Sequence, residues 1–195
     1  MKIGLVLAGG GGKGAYELGV WKALDELKLT KYITVFSGTS IGAFNSVLFA
    51  MNDMKKADEL WEEVTMDKLV PISKSELIKR GIGLYIGGKN LQLAKKFLNY
   101  KLEHGAIAND GAIEVVEKYL DFNKIKENNK ICYAACTKLS DFSAKYFKIN
   151  DFDEETGKKI VLASASLPLI YDCTEVLGEK YIDGGIADNI PIQPV

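Results

Sequence analysis

Histidine is nearly missing: the 195-residue chain has one, His104. Cysteine is sparse, with Cys132, Cys136 and Cys173 and no C-x-x-C spacing between them. That pairing of shortages speaks against a zinc site, and neither a metal nor an organic cofactor is expected. An odd, thin set of cysteines fits a reducing compartment, so the expected location is the cytoplasm. The net charge of −1 gives no global attraction to nucleic acid. No apolar run approaches the length that spans a bilayer. The short stretch Ile3 to Ala8 lacks a cleavage-like site and does not read as a signal peptide. Repeats, low-complexity tracts and linkers are also missing. With 47% hydrophobic and 26% charged residues, the chain reads as one globular domain spanning 1–195.

What is present alternates. "KIGLVLA" is an apolar run ended by glycines and reads as a buried strand. "AYELGVWKALDELK" spaces Leu18, Trp21, Leu24 and Leu27 three apart, a helical stripe. "YITVF" is a second strand, "SGTSIG" a turn, and "IGAFNSVLFAM" a buried helix. This order predicts an α/β fold: a three-layer sandwich with a mainly parallel central sheet flanked by helices. Residues 54–128 read as a helical, cap-like insert, carried by "KKADELWEEV", "LQLAKKFL" and "GAIEVVEKYL". "KICYAACTKL" and "SAKYFKI" are neighbouring strands, and "DEETGKKIVLASASLP" is a helix stopped by Pro168. "KYIDGGIADNIP" closes the chain as a strand with a turn.

Five glycines fall in the six positions Gly9 to Gly14, broken only by Lys13. Ordered glycine costs conformational entropy, so the loop implies unusual backbone angles or close ligand approach. A Walker phosphate loop does not fit, because the residue five before Gly12 is Leu7 and Gly14 follows the lysine. A dinucleotide loop matches at Gly9, Gly11 and Gly14. It then lacks the acidic residue that should end the second strand.

A serine stands there instead. Gly38-Thr39-Ser40-Ile41-Gly42 is G-x-S-x-G between a strand and a helix, with Gly38 and Gly42 relieving the crowding of a sharp turn. The plainer alternative is a tight turn whose serine only caps the helix. If Ser40 attacks an acyl group, the tetrahedral oxyanion needs fixed N–H donors. Bare amides of the glycine loop, at the same edge of a parallel sheet, would supply them.

His104 does not suit the role of base, since it precedes the best carboxylate and sits where a helix end is expected. Asp183 is the candidate, at a strand end and followed by Gly184 and Gly185, which leave it uncrowded. A simple Asp-Gly turn is the competing explanation. Asp188 is a reserve.

Together these motifs resemble the patatin-like phospholipase family. Gly9, Gly10, Gly11, Gly12, Lys13 and Gly14 match its G-G-G-x-(K/R)-G, and Gly38, Ser40 and Gly42 match its G-x-S-x-G. Asp183, Gly184 and Gly185 match its D-G-G, with Asn189 and Pro191 as the trailing N-x-P. Ala163 to Pro168 resembles its Ala-Ser-rich segment. The resemblance implies a serine–aspartate dyad, Ser40 and Asp183, acting on carboxylic esters of lipids. Gly9 to Gly14 form the oxyanion site it implies, with Lys13 adding positive charge. The family's chain usually continues past the N-x-P, so the domain is expected to lack C-terminal elements of the family.

Asp starts as a weaker base than His by about 2.6 pKa units, or roughly 3.5 kcal/mol. Burial recovers part of that, and an ester asks less of its leaving group than an amide. The expected partner is a phospholipid or other acyl ester, with no nucleic acid. From Lys74 to Leu102 seven basic residues face one acid, Glu76, among apolar side chains. Peripheral contact with an anionic membrane is one expectation for it, and a solvated helix face packed by its apolar stripe is the plainer alternative. Two other classes stay open at this stage: a catalytically silent lipid-binding module of the same fold, and a nucleotide-binding protein using the glycine loop.

Overall fold

A computed structural model describes residues 2–64, 110–168 and 170–195. The "LQLAKKFL" helix, the basic stretch Lys74 to Leu102 and His104 lie outside the described residues. Of the stretch 54–128 the described parts, 54–64 and 110–128, carry helices.

Six strands form one mixed sheet: β1 (Ile3–Leu7), β2 (Ile33–Thr39), β3 (Ile131–Lys138), β4 (Ala144–Lys148), β5 (Thr174–Val176) and β6 (Glu179–Asp183). β1, β2 and β3 are parallel neighbours, whereas β4, β5 and β6 join antiparallel. The order is β1-β2-β3-β6-β5, with β4 also on β3. The flanking helices are α1 (Gly14–Glu26), α2 (Ile41–Ala50), α3 (Met54–Glu63), α4 (Asp110–Tyr119), α5 (Phe122–Glu127) and α6 (Glu154–Ser164). This is the α/β class with flanking helices that the alternation predicts.

β3 determines where everything else lies. Its residues 133–137 pair with β4 along one edge. On the other edge, Val35 to Thr39 of β2 pair with Ile131 to Ala135. β6 then takes over on that edge, pairing Tyr181 to Asp183 with Lys138 to Cys136. Two strands thus meet end to end along β3, with their carboxyl ends facing.

Side chains alternate across a sheet. On one face, Phe36 meets Trp21 of α1 edge-on, with ring centroids 5.6 Å apart. The Cys132 thiol donates to the Ser46 carbonyl of α2, and the Cys136 thiol to the Ile160 carbonyl of α6. On the other face, Thr39 and Thr137 meet the segment that follows β6. The Thr39 hydroxyl donates to the Asp188 carbonyl, and the Ala187 N–H donates to the Thr137 hydroxyl.

α2 is buried from Gly42 to Ala50, which is why its sequence is apolar almost all round. Trp21 stacks on its Phe49 at 5.0 Å and 2°. Burying such aromatics contributes most to a core of this size. Two details depart from the sequence-based expectation. The helix thought to run to Pro168 ends at Ser164, where Ala165 N–H closes back on Val161 and Leu162. β5, three residues long, has no counterpart in the expected element list.

Candidate active site

Ser40 is the first residue after β2 and immediately precedes α2. Its backbone has φ 55° and ψ −125°, a strained conformation for a residue with a side chain. Two close approaches produce the bend. A Cβ on Gly38 would collide with the Gly42 carbonyl, and a Cβ on Gly42 with the Leu7 carbonyl of β1. Only glycine fits either position. The turn therefore pushes the Ser40 side chain out of the strand, at the start of a helix.

Asp183 ends β6. It pairs with Cys136, whereas Thr39 pairs with Ala135. Successive residues of a strand advance about 3.3 Å, so the register alone sets Asp183 beside the Ser40 turn. Ser40 and Asp183 line the same cavity, and the Ser40 side chain acts on the Asp183 carboxylate in the sense that lowers its pKa. Gly185 N–H donates to the same carboxylate at 2.7 Å. Asp183 is 4% exposed. Burial drives its pKa above the ordinary 3.8, while the Ser40 side chain and the Gly185 N–H pull the other way. Charge in a low-dielectric pocket explains that direction.

The glycine loop lies against both residues. Gly9, Gly10 and Gly11 line one cavity with Ser40 and Asp183. Asn189 pins the loop: its side-chain amide donates to the Gly9 carbonyl at 3.3 Å, and its carbonyl accepts from Gly9 N–H at 3.3 Å. Three loop amides are occupied. Gly9 N–H serves Asn189, Lys13 N–H goes to the Gly10 carbonyl, and Gly14 N–H to the carbonyls of Gly11 and Gly12. The amides of Gly10, Gly11 and Gly12, the donors expected for an oxyanion, are not among these three. Gly11 and Gly12 open a short helical turn, whose first N–H groups have no partner inside it. Lys13 is exposed and is not among the cavity's lining residues.

Capping follows the same division. α3, α5 and α6 each start on an aspartate that accepts a backbone N–H: Asp53, Asp121 and Asp153. α1 and α2, which follow the glycine loop and Ser40, have no side-chain cap. Their N-terminal amides and positive dipole ends are left for something else.

A cavity of about 450 Å³ opens from this point, walled by α3, α4 and α6. Leu60, Trp61, Val116, Leu162 and Tyr171 are among its lining residues, and none of the described lining residues is cationic. Asp188, the reserve base, is elsewhere. Its carboxylate accepts from the Tyr146 hydroxyl at 2.7 Å and from Ile190 N–H at 3.1 Å, outside the cavity.

Sequence reasoning missed a second polar cluster under the loop. The Asn45 amide, fully buried on α2, donates to the Gly14 carbonyl at 3.1 Å and to the Glu17 carboxylate at 2.8 Å. Trp61 donates to the Asn45 side-chain oxygen at 3.2 Å. Glu17 also accepts the Ala8 N–H, and burial raises its pKa. An asparagine inside an otherwise apolar helix was the available signal.

The fold thus sets a strained serine, a buried aspartate and a glycine loop around one apolar cavity. The chain belongs to the patatin-like phospholipase family, whose family model matches residues 5–195. It is similar to "Lysophospholipase nte1" of Aspergillus niger, 50% identical over 194 residues that cover 97% of this chain and 11% of the relative. It is also similar to "Lysophospholipase NTE1" of Kluyveromyces lactis, 27% identical over 204 residues with the same two shares, 97% and 11%. The chain thus spans about a tenth of the length of these relatives. Among solved structures, VipD from Legionella pneumophila shares the fold. Its TM-score is 0.61 at 22% identity, over 97% of this chain and 47% of VipD.

Proposed function

We propose that this chain hydrolyses carboxylic esters of lipids through Ser40 and Asp183. The observation that carries this reading is the meeting of a strained serine and a buried carboxylate at the mouth of one apolar cavity. In the first half-reaction the Ser40 oxygen bonds to the ester carbonyl carbon while Asp183 takes its proton. The oxyanion that forms is held by amides of Gly10, Gly11 and Gly12 and by the N-terminus of α2. The tetrahedral intermediate then expels the alcohol, which receives the proton from Asp183. In the second half-reaction water, deprotonated by Asp183, attacks the acyl-serine, and the fatty acid leaves as Ser40 regains its proton.

Burial supports Asp183 as base, since a raised pKa narrows its handicap against histidine. The cavity supports a substrate with an acyl chain, and the lysophospholipase names of the relatives make single-chain phospholipids the first choice. The buried, unpaired thiols of Cys132 and Cys136 support a cytoplasmic setting. Among the described residues no helix is long and apolar enough to cross a membrane. The basic, apolar-studded sequence of 74–102 supports peripheral contact with anionic lipid as the route to substrate.

A fluorophosphonate, followed by mapping of the adduct, tests the reading. Labelling at Ser40, lost in Ser40→Ala together with release of fatty acid from lysophosphatidylcholine, is the expected result. A Ser40→Ala protein that keeps full esterase activity would end it.

A further inference from the structure

The strained Ser40 backbone needs a restraint from outside its own turn. Beyond Thr39 the β2 ladder stops, so the Ser40 N–H has no strand partner. It donates instead to the Ser164 hydroxyl oxygen at 2.9 Å. Ser164 ends α6 and is fully buried. Its own hydroxyl hydrogen goes to the Ala135 carbonyl at 2.6 Å. Ala135 is the β3 residue opposite Thr39. One hydroxyl therefore fastens the elbow to β3, the strand against which the aspartate's own β6 is paired. Two residues on, the Ser166 carbonyl accepts the Asp183 N–H at 2.8 Å. The end of α6 thus holds the backbones of both members of the pair.

We infer that Ser164 is a positioning residue for the hydrolysis, fixing Ser40 in its attack-ready conformation. The inference rests on the reading of Ser40 as nucleophile. The chemistry demands a hydroxyl. The group must accept from an N–H and donate to a carbonyl at once, and Ser does both within one buried side chain. Alanine does neither. It leaves a donor and an acceptor buried without partners, beside a backbone conformation that persists only where its surroundings enforce it. Cysteine fills the space but makes weak bonds in both directions.

The test compares Ser164→Ala and Ser164→Cys with the parent chain, and uses Ser46→Ala as the control. Ser46 is another buried serine, on α2, whose hydroxyl has no hydrogen-bond partner. Two quantities are measured for each: the limiting rate of fluorophosphonate labelling at saturation, and kcat with KM on a p-nitrophenyl acyl ester. Displacement of a reacting group by about 1 Å costs on the order of 10²-fold. Ser164→Ala is expected to lose about that factor in kcat and in limiting labelling rate, with KM unchanged. Ser164→Cys is expected to fall between Ser164→Ala and the parent, and Ser46→Ala to match the parent. If Ser164→Ala does not fold, Ser164→Cys alone decides. Parent-like rates in the folded Ser164 variants, or a raised KM at unchanged kcat, overturn the inference and leave the proposed function standing. A parent chain that does not label at Ser40 overturns both.

Discussion

Thr39 and Asp183 come from opposite ends of the chain, yet they occupy successive positions against β3, opposite Ala135 and Cys136. The pairing of Ser40 with its carboxylate is therefore a property of backbone register. Neither side chain has to search for the other.

That geometry fixes the sign of a pH effect. Asp183 works as a base only when ionised, and burial raises its pKa above 3.8. The kcat/KM for a neutral ester should rise with pH along a limb centred above that value. A limb centred at or below the ordinary carboxylate value would contradict the burial argument.

Removing the carboxylate should separate activity from stability. The folded state of the parent holds the Asp183 proton more tightly than the unfolded chain does, because the pKa is raised on folding. The corresponding stability is present at acid pH and lost as pH rises through the raised value. Asp183→Asn has no such loss. It should melt at a higher temperature than the parent at neutral pH, with the gap closing toward acid. Its ester hydrolysis should drop by about 10²–10⁴-fold. Thermal melts at several pH values and initial rates check the two halves independently.

If the cavity takes the acyl chain, as proposed, its depth sets chain-length preference. Ala112 lines it from α4. Ala112→Phe should shorten the slot and penalise long acyl chains while sparing short ones. Each methylene denied burial costs about 0.8 kcal/mol, roughly a fourfold loss in kcat/KM. A palmitate-to-butyrate ratio that does not fall in Ala112→Phe would place the chain elsewhere.

Asn45 joins the glycine loop, α2 and Trp61. Asn45→Ala leaves the Gly14 carbonyl, Glu17 and the Trp61 N–H short of partners. Stability should fall by about 2–4 kcal/mol, read as a lower urea midpoint at unchanged slope. Asn45→Asp should also destabilise, since a second carboxylate would face Glu17.

Much of this was legible before any coordinates. The glycine loop, Gly38 to Gly42 and Asp183 to Gly185 announce themselves because their constraints are local: a bend or a close approach shows in a few adjacent residues. The helices showed through three- and four-residue spacing. What escaped was non-local or too short. β5 has three residues, below any periodic signal. The end of α6 at Ser164 reflects hydrogen bonding around Ala165, with Pro168 standing three residues beyond it. Ser164 itself sits in an Ala-Ser run whose members look alike, and only the fold tells which hydroxyl meets Ser40. Nothing in the chain's order reveals that Asn189 takes the Gly9 amide.

The meeting of β2 and β6 on one strand, carboxyl end to carboxyl end, has a consequence for how the protein becomes competent. Separate pieces of the chain each carry part of the machinery, but none can react alone. Reactivity has to wait until distant strands have docked in the right register, and a one-residue slip of β6 would turn its carboxylate to the opposite face. During refolding, capture of a phosphonate should trail the recovery of helical signal and coincide with closure of the sheet. The reagent would then time the last step of assembly.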